Sequence, residues 1–412
     1  FLNLYNLRNI FLVFTWDGVV MNKKIKLCLF VFIFIGVIVL NITYKNKDEV
    51  TKTKKQEHNN LAIMVKSESG EYISFDTIPK GNYVLNEEKT ICENNGKVLN
   101  YNSTTGKVSF SFIGSDRCSL YFDYKDNSIE ITSLMTVNNV DIFEENGIRY
   151  EGTGPNNYIC LDNQESGSCS DSSLLFRIIG LFDEDTSSDG ATSNGTKKLL
   201  KVIDTNNYGG TAGKKWDTNN SKDWKSASLA IDLNENYYNS LIGLSDINSK
   251  LLDNITMTKW RLGTYADDSV RKYSIYELFS MEHNENSEYV YEKVGLMYPS
   301  DYGYSSVGGT TTNKSDCLNA GLMNWKSYND CYSNSWLYNS AIFVNKAEWF
   351  LTPGTINYSG YLGQYDNGYV YTLNYFFLST GLLAVRPTLY LDAETLKIVG
   401  GTGSQTDPYH IG

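Results

Sequence analysis

A continuous apolar run near the amino end constrains this chain more than any other feature. Every residue from Leu27 to Leu40 is apolar or glycine, and three lysines stand just before it, between positions 23 and 26. A membrane-spanning helix needs about 20 mostly apolar residues and at least about 17, which the run reaches when it extends to Tyr44. Lysines on this side predict a cytoplasmic amino end and a carboxyl-terminal ectodomain outside the cell. The pattern predicts a single-pass protein of the cell membrane, held in the bilayer by residues 27–44.

Two short regions flank this predicted span. No small-residue cleavage site follows the run, so residues 21–44 are predicted to form an uncleaved signal anchor. The first methionine is Met21, and residues 1–20 are therefore interpreted as upstream sequence that is not native to the protein. Residues 45–60 are almost wholly polar and charged, which predicts a flexible linker because they have little apolar surface to bury.

The composition limits which partners the chain can have. Its 412 residues carry a formal net charge of -11, and 41% of them are hydrophobic. That length allows two or three domains, and the apolar content is sufficient for packed cores. Nucleic-acid binding requires a basic surface, so the acidic balance predicts no nucleic-acid partner.

The cysteines predict disulfide bonds. One of the seven lies in the apolar run, and the other six fall into three close pairs. An even number of cysteines outside a membrane is typical of disulfides, and nearest neighbours give the pairs Cys92–Cys118, Cys160–Cys169 and Cys317–Cys331. A zinc site is the alternative, but the chain has no Cys-x-x-Cys motif and no histidine close in sequence to a cysteine.

Residues 61–126 have the pattern of a small β-sandwich-like module. Val108, Phe110 and Phe112 alternate with polar residues, as in a strand with one buried face, and Asn95-Gly96 is typical of a hairpin turn. A module of this size has a small core, so the predicted Cys92–Cys118 bond would contribute to its stability.

Residues 139–412 are predicted to form an α+β domain with few helices, short strands and long loops. Apolar residues recur every four positions between Ser226 and Leu241, which predicts a helix, and a second helix is predicted over residues 273–282. Strands are predicted at Leu174–Gly180 and Ala384–Leu391. Residues 182–196 are rich in Asp, Ser and Gly and are predicted to form a loop.

The search for catalytic or metal-binding motifs gives one candidate. Asp183, Asp185 and Asp189 resemble part of a calcium-binding loop, but Ser188 replaces the glycine that such a loop needs. A solvated acidic loop is the default interpretation. The chain has no nucleophile-elbow or zinc-protease motif and only three scattered histidines, so no catalytic residue is predicted and the protein is expected not to be an enzyme.

Three residues in apolar surroundings are predicted to be buried and structural. Arg177 and Arg386 each interrupt an apolar strand. Burying an unpaired neutral polar group costs about 2–7 kcal/mol, and burying an unpaired cation costs more. Each is expected to pair with a carboxylate or with backbone carbonyls. Trp260 is expected to lie in the core.

A series of motifs carries a family resemblance. It includes Phe176-Arg-Ile-Ile-Gly180, Gly295-Leu-Met-Tyr-Pro-Ser-Asp-Tyr-Gly-Tyr304, Val385-Arg-Pro387 and Ile398-Val-Gly-Gly-Thr-Gly403. In this order they resemble a domain of unknown function from surface proteins of anaerobic Gram-positive bacteria. The pattern is also distantly similar to C-type-lectin-like and formylglycine-generating-enzyme-like folds. The resemblance implies a C-type-lectin-like domain over residues 139–412 whose loops form a binding surface. The calcium–sugar signatures of lectins are missing, so sugar binding is not implied.

The predicted function is non-catalytic recognition or adhesion at a bacterial cell surface, with a glycan or a protein as ligand. An extracellular hydrolase acting on glycans and a purely structural surface protein are the alternatives. The long region between positions 300 and 340 is rich in aromatic rings, which offer flat apolar faces with polar edges to a ligand. A small core under this region is the competing interpretation. The predicted ligand-binding residues are Tyr302, Tyr304, Trp325, Trp336 and Tyr338.

Overall fold

Two separate apolar cores organise this chain, each against its own β-sheet. The computed structural model describes residues 60–67, 71–103, 105–112, 114–138, 141–221, 223–262, 273–351, 362–365, 368–372 and 376–412. The first core lies within residues 63–122 and is small, while the second extends from residue 131 to residue 411.

The first core belongs to a small β module. Its strands are β1 (Asn60–Lys66), β2 (Tyr72–Phe75), β3 (Tyr83–Leu85), β4 (Ile91–Cys92), β5 (Lys97–Asn102), β6 (Lys107–Ser111) and β7 (Arg117–Tyr124). The sheet has the order β2-β1-β7-β3, and β4 also pairs with β7. Strands β5 and β6 form a separate hairpin. We call residues 60–124 the small β module.

Helix α1 (Ser128–Asn138) follows the small β module directly. The segment is rich in β-branched residues, which favour strands when a partner strand is available. The Asp126 carboxylate instead accepts the Ser128 amide at 2.8 Å, which satisfies one backbone donor at the start of the helix.

A larger sheet of eleven strands carries the second core. Its longest path is β15-β19-β12-β11-β10-β21-β20, with four further strands attached beside it. The strands that follow α1 are β8 (Ile142–Glu144), β9 (Ile148–Tyr150), β10 (Tyr158–Cys160), β11 (Leu175–Ser187), β12 (Gly195–Asp204), β13 (Met257–Arg261), β14 (Tyr289–Glu292), β15 (Val294–Gly295), β16 (Ala347–Trp349), β17 (Leu362–Tyr365), β18 (Val370–Thr372), β19 (Thr388–Asp392), β20 (Ile398–Gly400) and β21 (Tyr409–Ile411). Strands β16 to β18 form a separate sheet.

The remaining helices are short and lie between these strands. They are α2 (Ser228–Asp232), α3 (Tyr238–Ile242), α4 (Ile275–Glu282), α5 (Pro299–Tyr304), α6 (Lys314–Asn319), α7 (Asn329–Ser333) and α8 (Phe376–Thr380). A π-helical turn, Leu233–Tyr237, joins α2 to α3, so the predicted helix over residues 226–241 is helical throughout its centre. Single 3₁₀ turns occupy Ser172–Leu174, Gly210–Ala212, Trp224–Ser226, Ser249–Asp253, Leu322–Ser327 and Ser340–Ile342.

The predicted fold class was wrong. The described part of the chain is mostly β, with 34% strand against 24% helix, and the α+β, C-type-lectin-like assignment is not confirmed. The main error concerned β11, which was predicted to end at Gly180 but continues to Ser187. The acidic residues after Gly180 had been assigned to a loop. They remain in the strand because Glu184 is buried and paired with Arg261, at 2.8 Å.

The predicted location in a membrane is also corrected. Within the described residues, no helix is both long enough and apolar enough to cross a bilayer, which contradicts the single-pass assignment. The predicted span at residues 27–44 lies outside the described residues. So do the predicted anchor 21–44, the upstream segment 1–20 and nearly all of the linker 45–60.

The three predicted disulfide bonds are present. They join Cys92 to Cys118, Cys160 to Cys169 and Cys317 to Cys331. The first connects β4 to β7 within the small β module, where the two cysteines are register partners. The other two close short segments of the part of the chain that contains the second core, which we call the larger unit.

Candidate functional site

The aromatic residues predicted to bind a ligand belong to the core instead. Tyr302, Tyr304 and Trp325 have no exposed surface, Trp336 is 4% exposed, and Tyr338 is half-buried. The Trp325 indole donates to the Cys317 carbonyl at 3.2 Å, and the Trp336 indole donates to the Tyr150 carbonyl at 2.9 Å. This region folds into short helices that direct the rings inward. Four of the five rings therefore lie in a core under the region, as the competing interpretation expected, and not on an exposed surface.

The predicted structural residues lie close to the core. Trp260 is fully buried, and Arg386 makes a two-pronged ion pair with Glu348, at 2.7 and 2.8 Å. Arg177 is only half-buried, and among the described residues it pairs with no carboxylate but donates to the Pro155 carbonyl at 3.4 Å. Its guanidinium donates to the Asn157 side chain at 2.8 Å and lies 4.2 Å from the Trp336 ring centre. Burial lowers the pKa of Arg177 to about 10.

The three carboxylates of the predicted calcium loop do not converge on one point. Asp183 is exposed on β11 and pairs with Lys198 at 2.9 Å, and Asp185 accepts from the Tyr291 hydroxyl at 2.7 Å. Asp189 accepts the amides of the two residues that follow Gly190, at 2.9 and 2.7 Å. Asp183 and Asp185 therefore bind donors on neighbouring strands, and Asp189 binds amides of the turn that follows β11, instead of forming a cage for a cation.

Three charged side chains form a buried ion cluster in the larger unit. The Asp301 carboxylate, in the first turn of α5, accepts from Arg149 on β9 at 2.9 Å and from Lys201 on β12 at 2.6 Å. All three side chains are at most 3% exposed. Lys201 also lies 4.4 Å from the Tyr298 ring centre, and Arg149 lies over the ring of Phe182. We call Arg149, Lys201 and Asp301 the buried ion cluster.

Titratable groups next to this cluster have shifted pKa values. Burial raises the pKa of Glu282 to about 8, although the carboxylate accepts the Ser300 amide. Burial lowers the pKa of His283 to about 3, and the nearby Arg149 and Lys201 charges add to this effect. Shifts of this kind occur at active sites and also in structural ion networks. Here Asp301 lies between two cations within the core, so the arrangement favours a structural role that fixes α5 against β9 and β12.

A large groove lies on the small β module. Its volume is about 540 Å³, and it runs between β3 on one side and β5 on the other. The floor consists of half-buried apolar residues that pack on the first core, namely Tyr83, Leu85, Val98 and Tyr101. The walls carry two apolar side chains that are largely exposed, Val84 at 45% and Leu99 at 65%. We call this feature the β3–β5 groove.

Backbone groups contribute to the β3–β5 groove as well. The Asn86 amide donates to the Tyr121 carbonyl, and the Lys125 amide donates to the Asn82 carbonyl, both at 2.8 Å on the β7 side. Hydrogen-bonding direction alternates along an antiparallel strand, so Leu85 directs its N–H and C=O away from β7, toward the outer edge. The two walls meet at one end, where the Gly81 amide donates to the Ser103 carbonyl at 2.9 Å.

The exposed leucine in the groove has a local cause. The pairing of β5 with β6 shifts register between Val98 and Asn100, which leaves Leu99 as an extra residue. Such a bulge redirects the side chain that it contains. The sequence contains a pattern that could have predicted this groove. Tyr83-Val-Leu85 and Val98-Leu99 are apolar at adjacent positions, and adjacent residues of a strand point to opposite faces, so one of each must face outward.

Neither of two concave surfaces among the described residues contains a pair of acids. The β3–β5 groove has one acidic residue, Glu87. A second concavity of about 470 Å³ has one as well, Asp232, which pairs with Lys214 at 2.8 Å. A retaining glycosidase requires two carboxylates about 5–5.5 Å apart. These surfaces therefore provide no support for the hydrolase alternative.

Comparison with known proteins adds no assignment. The chain matches no protein-family model, and no curated protein or solved structure is significantly similar to it.

Proposed function

We propose that this chain is a non-catalytic recognition protein that binds an extended peptide segment of a protein partner in the β3–β5 groove. The observation that carries the proposal is the outer edge of β3 at Leu85, which no strand of the described residues covers, next to the exposed side chains of Val84 and Leu99. A peptide that pairs with a free strand edge gains main-chain hydrogen bonds, and apolar contacts beside the edge add selectivity.

The groove chemistry favours a peptide over a charged or sugar ligand. Its floor is apolar, and its charged residues, Glu87 and Lys97, have opposite signs. A groove volume of about 540 Å³ is within the range of ordinary ligand sites, which is about 300–1,000 Å³. The proposed ligand is therefore a short extended segment with apolar residues at alternate positions, since alternate side chains of a strand share one face.

A peptide library displayed on phage and selected on the whole chain would test the proposal. Selected peptides should lose affinity for the Leu99→Lys and Val84→Lys variants by about 10-fold or more, because burying one such side chain is worth about 1.5–3 kcal/mol. Ile129→Lys is the matched control. Ile129 is 70% exposed but lies on α1, outside the groove, so this variant should bind as the wild type does.

Amide hydrogen exchange distinguishes strand addition from side-chain docking alone. Pairing with β3 should slow exchange of the Leu85 amide when a selected peptide is present. The proposal is wrong if no peptide is enriched, or if the selected peptides bind both groove variants normally. Binding on a glycan array that these two variants abolish would assign the groove to a sugar instead.

A further inference from the structure

A second cluster, remote from the β3–β5 groove, combines cysteine, aspartate and histidine in the core of the larger unit. It contains Cys160 at the end of β10, Asp162 just after it, and His410 on β21, all fully buried. Strands β10 and β21 are parallel neighbours in which Cys160 and His410 are register partners. Their side chains therefore share one face of the sheet. Cys169 is also present, because it forms the disulfide bond with Cys160.

The histidine in this cluster is oriented as a metal ligand would be. Its Nε2 atom lies 2.9 Å from the Gly167 carbonyl oxygen, and since a carbonyl only accepts, Nε2 carries the proton and donates. The Nδ1 atom makes no hydrogen bond and lies 3.5 Å from the Asp162 carboxylate. Metal-bound histidines usually donate their second ring nitrogen to a carbonyl or carboxylate in this manner. Nδ1 therefore directs a lone pair into the cluster.

An ion pair is the alternative explanation for this geometry. A second proton on His410 would allow Nδ1 to donate to Asp162. The separation of 3.5 Å exceeds the usual N–H···O range of about 2.7–3.2 Å, and charge-assisted bonds are shorter still. Nδ1 is fully buried and makes no such bond, so its position fits a lone-pair donor better.

The distances are close to those of a tetrahedral zinc site. One ligand atom from each of Cys160, Asp162 and His410 lies within 4.8 Å of the others. Zinc–ligand bonds of about 2.0–2.3 Å require ligand atoms about 3.3–3.8 Å apart, so shifts of about 1 Å would suffice. The fourth ligand is available nearby, because the Cα atoms of Cys160 and Cys169 are 5.6 Å apart. Only the disulfide bond prevents the two sulfurs from acting as thiolates.

We propose that reduction of the Cys160–Cys169 disulfide creates a zinc site formed by Cys160, Cys169, Asp162 and His410. A dithiol supplies two electrons and two protons; the S–S bond breaks, two thiols form, and the dithiol becomes a disulfide. Zn²⁺ then displaces both thiol protons to solvent and binds the two thiolates. The His410 Nδ1 lone pair and one Asp162 oxygen complete the tetrahedral set. The metal replaces the disulfide as the link between Cys160 and Cys169, and through His410 it adds a link to β21.

The other cysteine–aspartate group in the structure provides a control. Cys92, Cys118 and Asp116 also lie close together, but the group has no histidine. The Asp116 oxygens accept the backbone amides of Asn94 and Gly96, at 2.8 and 2.7 Å. The Asp162 oxygens accept backbone amides in the same way, from Gln164 at 3.0 Å and from Ser170 at 2.8 Å. The two groups therefore differ in the histidine, and reduction of Cys92–Cys118 would supply two thiolates and one carboxylate but no fourth ligand among the described residues.

The test compares zinc binding by the oxidised and reduced whole chain. After reduction and removal of the dithiol without oxygen, zinc is titrated against a chromophoric chelator, and near-ultraviolet circular dichroism monitors the fold. We expect one tight zinc site in the reduced wild type and in Asp116→Asn. His410→Ala and Asp162→Asn should each weaken that site by about 100-fold or more. The oxidised chain should lack it.

X-ray absorption spectroscopy of the reduced, zinc-loaded wild-type protein identifies the zinc ligands directly, with no substitution needed. Two sulfur and two nitrogen or oxygen neighbours are expected. The proposal is overturned if the oxidised chain binds zinc equally well, if zinc affinity is unchanged in both His410→Ala and Asp162→Asn, or if the ligands are all sulfur. Unfolding of the reduced wild type that zinc does not reverse would overturn it too.

Discussion

The small β module and the larger unit differ in what they bury. In the small β module, five hydrophobic residues form the buried core, and several apolar side chains remain exposed. The buried set is Ile63, Val65, Cys118, Leu120 and Phe122. The larger unit buries six tryptophans, counting Trp336 at 4% exposure, and it also encloses the buried ion cluster. One unit leaves apolar surface in contact with solvent, while the other places charged groups in its core.

This difference indicates which unit binds a partner and which unit provides most of the stability. A unit of about 60 residues buries a smaller fraction of its surface than a large one, so some apolar groups remain outside. In the small β module these groups line a groove beside a free strand edge. In the larger unit, the aromatic residues that were expected to bind a ligand complete a core instead. Binding is therefore expected on the smaller unit, and most of the stability in the larger one.

The largest effect is expected from the buried ion cluster. Asp301→Asn would leave Arg149 and Lys201 in the core without an anion, which typically costs about 3–5 kcal/mol. Urea unfolding followed by tryptophan fluorescence measures this, because all seven tryptophans lie outside the small β module. Asp183→Asn is the control: its pair with Lys198 is exposed and worth about 0–1 kcal/mol. A loss below 1 kcal/mol in Asp301→Asn would show that the cluster is not needed for stability.

The next effect tests whether the two units depend on their own disulfide bonds. Replacing Cys92 and Cys118 together by serine removes a bond with a sequence separation of 26 residues, which stabilises by about 3–4 kcal/mol. Amide exchange should accelerate in β1 and β7, while the tryptophan transition stays unchanged. Replacing Cys317 and Cys331 should give the reverse result. If either double variant alters both signals, the two units unfold together and the comparison fails.

A pH-dependent effect should be confined to the larger unit. The folded-state pKa of Glu282 is about 8, above its ordinary value of 4.5, because burial disfavours the charged form. Between pH 4.5 and 8 the unfolded chain loses this proton and the folded chain keeps it, so wild-type stability falls as pH rises. Glu282→Gln cannot ionise.

Relative to the wild type, the Glu282→Gln variant should therefore gain a few kcal/mol of stability from pH 4.5 to pH 8. Urea unfolding at several pH values measures this difference, and other titrating groups cancel because both proteins contain them. A difference that is constant with pH would show that Glu282 is ionised in the folded state. Amide exchange in the small β module should not change.

Local patterns were sufficient for part of this structure. Neighbouring cysteines identified the disulfide bonds, and apolar residues at every fourth position identified the helical turns around Leu233. The ion cluster could not be predicted, because Asp301 lies 152 residues from Arg149 and 100 from Lys201. The prediction that the aromatic rings form a binding surface failed for a different reason. A tyrosine or tryptophan has the same local sequence pattern whether its ring packs inward or faces solvent, and only the packing of distant segments decides between the two.

The smallest effect on stability is expected for the exposed wall of the β3–β5 groove. Leu99 is 65% exposed at its bulge, whereas Leu120 on β7 is fully buried, although both belong to the small β module. Leu99→Ser should therefore change the free energy of unfolding by no more than about 0.5 kcal/mol. Leu120→Ala should cost about 2–5 kcal/mol, because it leaves a cavity in the core. Amide hydrogen exchange in β1 and β7 measures the change in the free energy of unfolding for both variants. A cost above about 1 kcal/mol for Leu99→Ser would mean that this side chain stabilises the fold, and the groove would then be less suitable as a surface reserved for a partner.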